Sequence, residues 1–153
     1  MNAVGFLQKI RAKYDAAGGA DLRALTPGGF YITHAPANVS WPCLVVNTPS
    51  AYGETLLDGS SDEYPLIQIS GYCRMVVDAN GDGVDDRSGG EHLIMVRDAI
   101  MALYCGKKIT WSTGSEDKVA STFVVSPGWP RHDPTNDGYA VDVQIRCILS
   151  GEA

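Results

Sequence analysis

The chain has 153 residues, 44% of them hydrophobic and 20% charged, a size and balance that suit one soluble domain with one core. A formal net charge of −6 argues against a surface that grips phosphate backbones, because that grip depends on Lys and Arg, although it suits a wall that DNA passes without sticking. No apolar run approaches the roughly 20 residues that cross a bilayer, and Met1 to Asp15 lacks the apolar block of a signal peptide, so no membrane is expected and the chain reads as made and used in a cytoplasm.

In chain order, Val4, Leu7, Ile10 and Tyr14 form one stripe at helical spacing and predict a first helix over 3–17, ending at Gly18-Gly19. FYITHAP and PCLVVNT then read as two short strands, stopped by Pro36 and bounded by Pro42 and Pro49. Residues 51–64 carry Gly, Ser and acids with no sustained period and predict an exposed loop. From Leu66 to Val77 the alternation is long: Ile67, Ile69, Gly71, Cys73, Met75 and Val77 share one face, and Leu66, Gln68, Ser70, Tyr72, Arg74 and Val76 the other. A second helix is predicted over 91–104, ended by Gly106 and two lysines. KKITWST, VASTFVVS and YAVDVQIRCILS read as three further strands, the last alternating Val141, Val143, Ile145 and Cys147 against Asp142, Gln144 and Arg146. The expected class is α+β, a single domain over 1–153 in the order α-β-β-β-α-β-β-β, with two helices on one face of a largely antiparallel sheet and a wet opposite face.

The segment DANGDGVDD is the most conspicuous chemistry. Asp78, Asn80, Asp82, the Val84 carbonyl and Asp86 stand at positions one, three, five, seven and nine of an EF-hand-like calcium loop, and Gly83 supplies the turn at position six. Position twelve, where a bidentate Glu completes the set, is Gly89, and Glu91 lies two residues too far along. The same residues also spell an acidic turn built on Asn-Gly and Asp-Gly, so calcium and turn both stand as readings. Catalysis has less support. His34, His92 and His132 lie in separate segments, no GxSxG motif occurs, and the trio Arg131, His132 and Asp133 reads more simply as a polar turn. The glycines near the second helix are surrounded by acids that would repel a phosphate. Cys43, Cys73, Cys105 and Cys147 form no CxxC pair and predict reduced, buried thiols.

On a helical wheel the second helix puts Leu93, Val96, Ile100 and Leu103 on a core stripe, Arg97 and Asp98 opposite, and Ile94 and Met101 between them. Two apolar residues stacked seven apart in a polar arc mark a candidate interface of Ile94, Arg97, Asp98 and Met101. Trp41, Trp111 and Trp129 are each expected to pack within the chain, with interface anchoring as the other reading.

Taken together, GGFYITHAPANVSWPCLVV, YPLIQISGYCR, HLIMVRDAIMALY and YAVDVQIRCIL, in that order and spacing, resemble the tail terminator or tail completion proteins of long-tailed bacteriophages, from about Phe6 to Leu149. The resemblance implies a non-enzymatic virion subunit that forms a ring, commonly a hexamer, which caps the tail tube and joins it to the head connector. Its implied partners are other copies of itself, the tail tube protein and the head connector or a head completion protein, with DNA passing through without specific binding. No cofactor is required, and calcium is an optional ion. Other neck, head completion or minor tail roles are the alternative, and a calcium-binding module a further one. The DANGDGVDD loop and the length of 51–64 depart from the family pattern.

Overall fold

The computed structural model describes the backbone of residues 3–55, 61–112 and 117–150, and the side chains within 7–47, 66–109 and 126–147. Helix α1 (Ala3–Asp15) leads through a short 3-10 turn into α2 (Ala20–Leu25), and strands β1 (Phe30–Ile32), β2 (Cys43–Thr55) and β3 (Ser61–Arg74) follow. The two-residue strands β4 (Val76–Val77) and β5 (Arg87–Ser88) precede α3 (Gly89–Tyr104). The chain closes with β6 (Lys108–Ser112), β7 (Asp117–Ser126), β8 (Arg131–Asp133) and β9 (Gly138–Ser150). Among the described residues the main sheet runs β1-β2-β3-β9-β7-β6, and β8 also pairs with β9. Only β1–β2 is parallel; every other pairing is antiparallel, so the expected α+β class holds.

The core lies where the alternation placed it. Leu44, Val46, Ile67, Ile69, Val141, Val143 and Ile145 point from the central strands into one buried cluster with Leu93, Val96 and Ile100 of α3 and Leu7 and Ile10 of α1. Each strand contributes every second residue because successive side chains point to opposite faces. Gly71 lets the helix come close: a Cβ there would stand 3.2–3.4 Å from Val141, Leu93 and Val96. Tyr104 at the end of α3 reaches across and donates its hydroxyl to the Ile10 carbonyl of α1 at 2.6 Å.

Three features differ from the sequence reading. First, α2 was not anticipated, since six residues after a Gly-Gly pair carry no usable period; it is held by Arg23, whose guanidinium donates to the carbonyls of Tyr14 and Ala16, and by Thr26 Oγ1 donating to the Leu22 carbonyl at 2.7 Å. Second, the expected loop 51–64 is a continuation of β2 and β3 as a hairpin, paired from Ala51↔Pro65 to Thr55↔Ser61, with residues 56–60 outside the described residues. Pro49 interrupts the register between Asn47 and Ser50, and Pro65, with no N–H to give, stands where pairing of β3 with β9 stops at Leu66. Third, the sheet face opposite the helices is less wet than its composition suggests. Ser70 is buried and donates to Asp142 at 2.7 Å, Gln144 donates to Gln68 at 3.3 Å, and Arg131 caps the row through a 2.7 Å bond to Asp142. Beside that row, Cys43 and Val45 are buried.

Candidate assembly surface

The acidic loop and helix α3 form one continuous piece of surface, closed at its base by β4 and β5, whose partners are Val76↔Ser88 and Val77↔Arg87. Inside the loop, Asp78 accepts backbone N–H groups from Gly81 at 2.9 Å and Asp82 at 3.2 Å through one oxygen, and from Gly83 at 2.7 Å through the other. Those amides, Gly83 foremost, hold its carboxyl below the ordinary Asp range. Asn80 accepts from Asp82, Asp82 from Val84, and Asp86 from Ala79. The side-chain oxygens counted as calcium ligands are thus turned onto the loop's own amides, and among the described residues no three His, Cys, Asp or Glu side chains gather as a metal-holding group. The glycine at loop position twelve has a structural cause. Gly89 donates to the Met75 carbonyl at 2.8 Å, and a Cβ there would lie 1.9 Å from the Arg74 carbonyl oxygen. The close crossing of β3 and α3 forbids the side chain a bidentate Glu needs.

Helix α3 starts at an N-cap serine: Ser88 Oγ accepts the Glu91 N–H at 3.1 Å. His92, treated in the sequence reading only as an isolated histidine, is buried against two other elements. Its Nε2–H donates to the Leu25 carbonyl at the end of α2 at 2.7 Å, and its Nδ1 accepts from Arg87 at 3.1 Å. Arginine can only donate and a carbonyl can only accept, so the ring is neutral with its proton on Nε2. Burial lowers its pKa, the Leu25 carbonyl opposes that, and Arg87 adds to it.

The predicted interface residues divide. Met101 is half-buried against the core and Ile94 is half-buried, so neither is the prominent apolar feature of the helix. Among the described residues the exposed large apolar side chain on the helix is Met95, 40% exposed, and Trp129, 69% exposed, stands in the bulge between β7 and β8; Met75, Val76 and Val84 are exposed at and beyond the end of β3. Arg97 joins the helix to that bulge: its guanidinium lies over the indole of Trp129, 5.3 Å from the ring centroid, donates to the Gly128 carbonyl at 3.3 Å and pairs with Asp98 at 3.0 Å. Gly128, at φ +67°, is pressed so tightly on the sheet that a Cβ would lie 1.9 Å from the Asp142 carbonyl oxygen. Trp129 therefore departs from the expected intramolecular packing: Gly128 before it is pinned to the sheet and its own ring is left 69% exposed. Trp41 follows that expectation, edge-on to Tyr72 with Arg74 over its ring, while the side chain of Trp111 lies outside the described residues.

The catalytic trio does not assemble. Arg131 binds Asp142, Asp133 accepts from Asn136 at 2.7 Å, and His132 packs edge-on to Tyr139. Burial pushes the thiols of Cys43, Cys73 and Cys147 up to about 11, 12 and 12, so all three are poor nucleophiles. Cys105 is exposed, contrary to expectation, because it caps α3 where the helix leaves the core. Among the described residues no helix is long and apolar enough to cross a membrane.

No protein-family model matches the chain, and no curated protein does. Among solved structures it is similar to a chain of the virion of a native gene transfer agent particle, with a TM-score of 0.67 over 97% of this chain and 93% of that one, at 15% identity. The two share a fold along nearly their whole lengths.

Proposed function

We propose that this chain is a structural virion protein that forms a ring at the head-proximal end of a phage tail, ending the tail tube and joining it to the head connector. The observation that carries this reading is the end-to-end likeness to a chain of a gene transfer agent virion, which a shared small motif would not produce. The order of sequence blocks that resembles tail terminators supports it independently, and the exposed Trp129, braced by Arg97, supplies a contact point for a neighbouring virion subunit. The chain does no chemistry in this role and works by shape and contact.

Two measurements test the proposal. The purified protein should give a closed ring in negative-stain images and a matching mass in solution; a monomer at every concentration contradicts the ring. In the virus that encodes it, loss of the gene should leave full heads beside unjoined, overlong tails. Tails of normal length would move the protein to another neck, head completion or minor tail position.

A further inference from the structure

The two ends of α3 differ in charge and fit one another in chemistry. At the N-terminal end, Asp78, Asp82, Asp85 and Asp86 surround Val84, whose side chain is 62% exposed at the loop tip. At the C-terminal end, two clefts of about 260 and 290 Å³ share Lys13. Their floors include the small or buried apolar residues Ala12, Ile109 and Leu103, and their rims carry Lys9, Lys107 and Lys108, with Asp21 the opposing acid. Lys9, Lys13 and Lys108 make no ion pair among the described residues. An apolar tip ringed by carboxylates and an apolar groove ringed by ammonium groups are complementary surfaces. They cannot meet within one molecule, since the 16 residues of α3 hold them roughly 24 Å apart. The α3 dipole favours acids at its start and bases at its end, yet it gives no reason for Lys9 and Lys13, which stand on α1.

We propose that the groove between α1 and the α3–β6 turn is the docking site for the 78–86 loop of a second copy of this chain. The contact is head-to-tail, uses different patches on the two copies, and therefore leads to a closed ring when its rotation closes. It rests on the ring reading above and identifies which surfaces make the ring. It also leaves Met95 and Trp129 outside the contact, available to a different virion subunit.

Charge exchange tests the contact. One variant carries Lys9→Glu, Lys13→Glu and Lys108→Glu; the other carries Asp82→Lys, Asp85→Lys and Asp86→Lys. Alone, each has like charges on both patches, and its midpoint concentration for assembly in sedimentation should rise about 100-fold or more. Mixed in equal amounts the two variants are complementary at both contacts, and assembly should return to within about tenfold of the unaltered chain. A second measurement does not depend on the folding of triple variants: in a Cys105→Ser background, Val84→Cys mixed with Ala16→Cys should yield an intermolecular disulfide on mild oxidation. A ring that ignores both charge reversals and gives no cross-link overturns the groove contact and leaves the ring reading standing. An unaltered chain that never assembles overturns both.

Discussion

The 78–86 loop and the 127–130 bulge both flank α3, and they are held in opposite ways. The acidic loop satisfies itself: its carboxylates accept its own amides, and it touches the rest of the fold mainly through the β4–β5 pairing at its base. The bulge is fixed from outside, by Gly128 against Asp142 and by Arg97 against Gly128 and Trp129. A conspicuous sequence motif can thus hold its own shape from within, while a plain Pro-Gly-Trp-Pro run is wired to the principal helix.

The largest break in that comparison should come from Gly89→Glu, which completes the calcium motif on paper. With a Cβ 1.9 Å from the Arg74 carbonyl, the expected result is a loss of about 3 kcal/mol or more in denaturant unfolding, with no gain in calcium affinity by calorimetry. Calcium bound with stability retained would show that the β3–α3 crossing is softer than its geometry. Gly128→Ala should cost about 2 kcal/mol, because both the left-handed backbone and the Asp142 carbonyl oppose a side chain; an unchanged melting curve would mean that the bulge is not pinned.

Acid should act between the two regions, at His92. Its folded pKa lies below the unfolded value near 6.5, so the folded state binds fewer protons. The contribution is complete above about pH 6.5 and is lost as pH falls toward the folded value. Thermal unfolding from pH 7.5 down to 5 should show this fall, and His92→Gln should flatten it. The smallest effects should be Asp78→Ala, which speeds hydrogen exchange at Gly81, Asp82 and Gly83 and leaves global unfolding nearly unchanged, and Trp129→Ala, which should change stability by under about 1 kcal/mol. A large loss at Trp129 would make it a folding residue rather than a surface one.

Much of the fold was legible because long periods are hard to mistake. The alternation of Ile67, Ile69 and Cys73, of Val141, Val143 and Ile145, and the Leu93, Val96, Ile100 stripe all occupy the core as read. What stayed hidden depends on partners distant in sequence. Helix α2 is fixed by Arg23 and Thr26, the hairpin over 51–64 by pairing instead of an apolar period, and His92 by a carbonyl 67 residues away. The candidate surface was half legible: the wheel singled out Arg97 of α3, but its contact with the bulge that carries the exposed Trp129 depends on a carbonyl 31 residues away.

The β4–β5 clasp has a practical consequence. Because Val76↔Ser88 and Val77↔Arg87 bring the two ends of the acidic loop together, the chain between them can be lengthened without moving β3 or α3. On the proposed ring contact, a peptide spliced after Val84 should give a subunit that folds normally yet cannot seat its loop in a neighbour, and such a subunit, mixed in small amounts with intact chains, would act as a chain stopper that counts the members of the proposed ring.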